Sequence, residues 1–199
     1  MNLLEQTIAA INVPDMEICK AAAAALNAQT DVDFGRLNDT LLRYIRITED
    51  RHPAPPQTSV IIACADHGVA AESVSAYPPE TTLNMMCNYL IARGGTANAA
   101  ANYAGARLIV ADLGVNADST DIPGLRHHSI ARGTANMTKG SAMTRAQAIA
   151  AMETGIALAN DCADRGDRCI LPGEMGISNT TSSAAIVAAI LGLSPEEVT

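Results

Sequence analysis

Three short apolar runs, each with an acidic residue at or near its carboxyl end, constrain this fold most. SVIIACAD (59–66), RLIVADLGV (107–115) and RCILPGEM (168–175) are continuous rather than alternating. That pattern belongs to strands buried on both faces. Helical segments lie between them at about 79–92, 95–105 and 144–165. The last opens on Thr144 with Gln147 three residues on, a capping box. Strand–helix–strand alternation predicts an α/β fold: a three-layer, mostly parallel, Rossmann-like sheet with helices on both faces. Aromatic residues make up only 3% of the chain, so the core must be built from Ala, Ile, Leu, Val and Met.

Ahead of these runs the chain has a different character. Helical patterns cover about 2–11, a stretch from Pro14 through KAAAAAL, and Leu37 to Ile47, before the Pro-rich break RHPAPPQT (51–58). The sequence therefore divides into a small N-terminal helical lobe at 1–55 and an α/β domain at 56–199. The segment SPEEV has the form of a helix start, which predicts a fold that continues.

A net charge of −8 argues against a nucleic-acid partner, because phosphate contacts need clustered Lys and Arg. There is no basic leader and no 18-residue apolar stretch, so a cytoplasmic protein with no membrane partner is expected. The five cysteines (Cys19, Cys64, Cys87, Cys162, Cys169) lack metal-ligand spacing; Cys64 and Cys169 read as small hydrophobes within apolar runs. Neither a metal nor a cofactor is implied.

Ligands of open parallel sheets bind beyond the carboxyl ends of the strands. Here those ends carry Asp66-His67-Gly68, Asp112-Leu113-Gly114 and GEMGISNTT (173–181). Gly173 and Gly176 allow close backbone approach, and Asn179 or Thr180 is expected to cap the next helix and leave its N–H groups facing an anion. A routine β–α turn would look similar. His67 either orients a loop or lines the site. His127 and His128 read as surface residues of an edge strand, and Arg132 and Lys139 as phosphate-reaching or simply solvated cations. No G-x-G-x-x-G follows the first strand, which argues against a dinucleotide-binding dehydrogenase.

The segments ADHGVAAESVSAYP (65–78), ARGGTANAAANYAGA (92–106), VADLGV (110–115), ARGTANMTKGSAMTRAQA (131–148) and GEMGISNTTSSAAIVAAILGLSPEEV (173–198) resemble the nicotinate-nucleotide–dimethylbenzimidazole phosphoribosyltransferase family. The resemblance implies transfer of phosphoribose from nicotinate mononucleotide to an aromatic base, giving an α-ribotide for the lower ligand of cobamides. It also implies a homodimer, or a heterodimer with a homologous subunit. By that pattern Glu174, Gly176, Asn179 and Thr180 fall in the nucleotide pocket, whereas an unrelated loop would leave Glu174 a solvated acid. The family chain continues past the position of Thr199 with a Gly-rich phosphate loop and a later glutamate as general base. The chain is thus expected to be an N-terminal portion, or one half, its 56–199 segment an incomplete α/β nucleotide-binding domain, without a catalytic residue of its own, binding poorly and inactive alone. A non-catalytic partner that binds nucleotide or a sister subunit is the alternative.

The same resemblance puts the pocket for the incoming base at Tyr77, Met85 and Met175. Benzimidazole-activating relatives carry a small polar residue and a Gln at the first two positions; Met85 cannot make that glutamine's hydrogen bond. A tyrosine ring and two thioethers suit a single-ring phenolic, as in the family's phenol- and p-cresol-activating branch, unless Met85 is only a core residue beside Met86. With a phenol pKa near 10 and a carboxylate near 4.3, full prior ionisation costs about 8 kcal/mol. Proton removal from a phenol is therefore expected to accompany C–O bond formation.

Overall fold

The computed structural model describes residues 1–29, 32 and 34–199, without the side chains of Asn27 and Gln29. Two compact units emerge, Met1–Pro56 and Gln57–Thr199.

In the first unit, α1 (Leu3–Ala10), α2 (Met16–Gln29) and α3 (Arg36–Thr48) follow one another. The Asn2 side chain accepts from Glu5 N–H at 2.8 Å and the Glu5 carboxylate accepts from Asn2 N–H at 3.2 Å, closing a capping box on α1. The second helix starts at Met16 rather than at Pro14. The Asp15 carboxylate accepts from Glu17 N–H at 2.8 Å and takes the capping role, leaving Pro14 outside. The Cys19 thiol donates to the Leu42 carbonyl at 3.4 Å, linking α2 to α3, on which Ile45 is buried.

The second unit holds a sheet of β1 (Thr58–Ala65), β2 (Arg107–Gly114), β3 (Arg126–His127) and β4 (Cys169–Met175). The order is β3-β2-β1-β4 and every pairing is parallel. A 3-10 turn at Gly68–Glu72 follows β1. Then come α4 (Thr81–Cys87), running on as a π-helical segment to Ala92, and α5 (Thr96–Tyr103). The long α6 (Arg145–Asp164) leads to β4, and α7 (Asn179–Leu191) and α8 (Pro195–Val198) follow it. From β1 the chain crosses to β2 on one side and later to β4 on the other. With that order, the right-handed crossover rule for parallel strands assigns α4–α5 and α6 to opposite faces, in keeping with the expected three layers.

Ile62 and Cys64 of β1, Met86 of α4, and Val110 and Val115 at β2 form the core with Ile122 and Leu125. Pro172, which lacks an N–H, sits in β4 at an outer position of the sheet, where such a residue is tolerated. Cys64 and Cys162 are fully buried, whereas Cys169 is half-buried; all five cysteines are free thiols. Burial, with Asp112, Glu174 and Asp66 adding like-charge repulsion, pushes the Cys64 thiol up to about 12, which makes it an inert packing group. Register is what matters for function. Cys64 aligns with Asp112 on one side and Met175 on the other, and Ala63 aligns with Glu174. The acidic ends of three strands therefore lie at one edge.

Candidate active site at the carboxyl edge of the sheet

Asp66 joins three loops. Its N–H donates to the Gly114 carbonyl at 3.0 Å, its carbonyl accepts from Thr134 N–H at 3.0 Å, and its Oδ2 accepts from Asn116 N–H at 2.8 Å. Its other carboxylate oxygen is buried without a partner among the described residues. Asp112 is the contrasting case. Its Oδ1 accepts from Gly114 and Val115 N–H at 2.9 and 2.8 Å, and Ser119 Oγ donates to its Oδ2 at 2.6 Å. With both oxygens occupied, that buried carboxylate shapes the turn after β2.

His67 sits where these loops meet the β4–α7 turn. Its Nδ1 lies 3.1 Å from Ser182 Oγ on α7. Burial pulls its pKa below the ordinary histidine value, against the opposing pull of Glu174 and Asp66, so the ring favours its neutral form. A Cβ on Gly176 would stand 2.2 Å from the Ala65 carbonyl oxygen and 2.8 Å from His67 Nε2. Only glycine lets the turn pass so close to β1. On the other side, Thr82 Oγ1 accepts from Ile177 N–H at 3.1 Å, tying the first turn of α4 to the same loop.

Within that turn, the Asn179 amide donates to Glu174 Oε1, and its carbonyl oxygen accepts from Thr180 N–H at 2.7 Å and Thr180 Oγ1 at 3.3 Å. Glu174, Asn179 and Thr180 are thus one hydrogen-bonded group, with Glu174 and Thr180 exposed. The expected capping by Asn179 or Thr180 does not occur. Ser178 holds the cap position with φ of 73°, and both expected capping residues lie inside the helix. The left-handed kink at Ser178 turns its hydroxyl inward, where it has no partner among the described residues.

The residues expected to meet the incoming base are spread out. Tyr77 is 67% exposed on the loop before α4, with its N–H donating to Ser75 Oγ at 3.2 Å. Met85 is half-buried and its sulfur accepts weakly from the Asn88 amide at 3.8 Å. Met175 packs on the core cluster. Three cavities flank His67, of about 620, 350 and 270 Å³, and neither those three residues nor Glu174, Asn179 and Thr180 line them. Asp66, Glu80, Asn116 and Arg132 contribute to the middle one.

Lys139 is engaged elsewhere, 3.3 Å from the Glu72 carboxylate and largely exposed. His127 is exposed on the short edge strand, as expected. Sequence reasoning missed Thr134, whose hydroxyl accepts from Gly68 N–H at 3.1 Å and which lines all three cavities. Its segment carries no regular periodicity, so the only signal was its quoted ARGT neighbourhood.

Comparison with known proteins adds the family. A family model described as "Phosphoribosyltransferase" matches residues 11–199. The chain belongs to that phosphoribosyltransferase family. Among its relatives, nicotinate-nucleotide–dimethylbenzimidazole phosphoribosyltransferases of Geotalea uraniireducens and Roseiflexus sp. are 43% and 44% identical over the whole of this chain, which spans 57% of each. The crystal structure of nicotinate-nucleotide-dimethylbenzimidazole phosphoribosyltransferase from Thermus thermophilus is similar too. It matches with a TM-score of 0.86 and 37% identity, over 92% of this chain and 56% of that one. The family's α/β fold is thus shared over a little more than half the length of these phosphoribosyltransferases. Among the described residues, no helix is long and apolar enough to cross a membrane.

Proposed function

We propose that the chain supplies part of the nucleotide and acceptor site for phosphoribosyl transfer from nicotinate mononucleotide to a lower-ligand base, giving an α-ribotide for cobamide synthesis. The single observation that carries this reading is the bonded group of Glu174, Asn179 and Thr180 at the carboxyl end of β4, braced by His67 and Gly176. The relatives' names supply the reaction, and the end of a parallel strand is where an α/β sheet takes its ligand.

In this reading the acceptor, dimethylbenzimidazole nitrogen or a phenolic oxygen, attacks the ribose C1 from the face opposite nicotinate. As the new bond to C1 forms, the C1–N bond breaks and its electron pair returns to the ring nitrogen, so nicotinate leaves as a neutral pyridine and needs no acid, while the acceptor's N–H or O–H proton passes to a general base, the later glutamate that the family resemblance implies. The chain's own groups then act by positioning. The Glu174 carboxylate accepts hydrogen bonds and Thr180 offers a hydroxyl at the nucleotide. Gly176 keeps the backbone close, while Tyr77, Met85 and Met175 supply the contacts that select the base, phenolic over two-ring. The active assembly is a dimer, with a second copy or a homologous subunit. The five free thiols suit a reducing cytoplasm.

Calorimetric titration of the purified chain with nicotinate mononucleotide tests the reading. Saturable binding, weakened about tenfold or more by Glu174→Gln as expected for loss of a charge-assisted contact, supports it. Absence of binding at millimolar nucleotide, or binding indifferent to Glu174→Gln, refutes it.

A further inference from the structure

We propose that His67 is the positioning residue of the Glu174–Asn179–Thr180 group and works as a proton-controlled latch: the uncharged ring holds the group assembled, and the charged ring releases it. What the group binds rests on the phosphoribosyl reading; the latch itself is a property of the nucleotide-free chain.

The ring joins a rigid side to a yielding one. On the rigid side, the backbone around His67 is pinned in both directions. The Asp66 N–H donates to the Gly114 carbonyl, the Asp66 carbonyl accepts from Thr134 N–H, and the His67 carbonyl accepts from Ala70 N–H, each at 3.0 Å. The Gly68 N–H donates to Thr134 Oγ1 at 3.1 Å. On the yielding side stands the start of α7. That helix has no buried residue, and β4 before it lies at an outer position of the sheet. It is entered through the left-handed Ser178, whose buried hydroxyl has no partner among the described residues. Segments with few buried contacts open most readily. His67 grips this one twice. Its Nδ1 lies 3.1 Å from Ser182 Oγ, and a Cβ on Gly176 would stand 2.8 Å from its Nε2 and 3.0 Å from its Cδ2.

Both grips depend on the charge of the ring. A second proton either reverses the Ser182 bond at Nδ1 or lands on Nε2, against Gly176. It also puts a cation in a half-buried place with no ion-pair partner among the described residues. Asp66 at the end of β1 and Glu174 at the end of β4 act on the ring directly. Glu80 and Arg132 share the cavity of about 350 Å³ with it, and Arg145 lies across the cavity of about 620 Å³ at the start of α6. The α7 residues beside it in the third cavity are uncharged. Of the two carboxylates, Asp66 is tied to Asn116 N–H, whereas Glu174 is exposed and bonded to the Asn179 amide. A cationic ring draws the Glu174 carboxylate away from that amide, and the Asn179 bonds to Thr180 loosen with it. Burial favours the neutral ring, so the latch is closed above the ordinary histidine value of 6.5.

The test follows ring and group together by nuclear magnetic resonance in the isotope-labelled chain without nucleotide, from about pH 8 to about pH 5.5. We expect the Asn179 side-chain amide and the Thr180 backbone amide to shift with the same midpoint as the His67 Cε1–H signal. They should move toward the positions they hold in His67→Ala at about pH 8. In His67→Asn, whose amide still meets Ser182 but does not titrate, they should stay close to their native high-pH positions. Circular dichroism checks that both variants fold. Amide signals that stay put while His67 titrates, that shift equally in His67→Asn, or that are native in His67→Ala would each overturn the latch. With nicotinate mononucleotide added, affinity should fall with pH more steeply in the native chain than in His67→Asn, where only the nucleotide's own titration is left. Equal slopes would overturn the latch, whereas no binding at any pH would refute the phosphoribosyl reading while the amide signals still decide the latch.

Discussion

Replacing Gly176 with alanine should damage the whole carboxyl edge. The new methyl would start 2.2 Å from the Ala65 carbonyl oxygen and 2.8 Å from His67 Nε2, so something must move by about an ångström. Ala65 cannot retreat easily, because β1 is paired on both sides, to β2 and to β4. The β4–α7 turn must yield instead, straining the Ile177 N–H bond to Thr82 and the His67–Ser182 contact. Overpacking costs about 1–3 kcal/mol and a buried unpaired N–H about 1–3 more, so a total loss of about 2–6 kcal/mol is expected. Urea unfolding followed by circular dichroism measures it, as a midpoint lowered by about 1 M or more. Gly155 is the control. It lies inside α6 with open space where a Cβ would go, and Gly155→Ala should stabilise by about 0.5–1 kcal/mol. A Gly176→Ala midpoint within error of the original chain would refute the tight approach of the turn to β1.

Three further outcomes follow from the same edge. Asp112→Ala strips three hydrogen bonds from a buried turn, and should cost about 2–4 kcal/mol in the same unfolding assay. The depressed His67 pKa means that the unfolded chain takes up a proton at higher pH than the folded one. Its stabilising contribution is therefore present above the ordinary histidine value of 6.5 and is lost as pH falls below that. A plot of stability against pH should show this slope, and it should flatten there in His67→Asn. Cys64, buried with its thiol pushed up to about 12, should resist iodoacetamide in the native chain at pH 8 while Cys87 and Cys169 react, as peptide mass spectrometry would show.

Much of the fold was legible because its strands are continuous apolar runs and its longest helix opens on a capping box; β1, β2, β4 and α6 lie where those signals put them. The 3-10 turn after β1 and the π-helical end of α4 were not legible, since neither has a distinctive residue period. The start of α7 shows the limit at the site. Asn and Thr are favoured capping residues, yet the clearance demanded at Gly176 forces the chain through a left-handed Ser178 first, and the cap falls one residue early. Glu174 and Asn179 are five residues apart in sequence, so their bond depends on that kink. The cavity beside Arg145 was illegible for a different reason. Its walls come from strand ends, an irregular loop and a helix start that only the tertiary fold assembles.

The most direct measurement is a map of backbone amide chemical-shift changes in the isotope-labelled chain on titration with nicotinate mononucleotide. The account predicts the largest changes across Glu174–Thr180 and at His67 and Gly68, with the amides around Arg145 little affected. Changes confined to the α6 cavity, or none at saturating nucleotide, would contradict it.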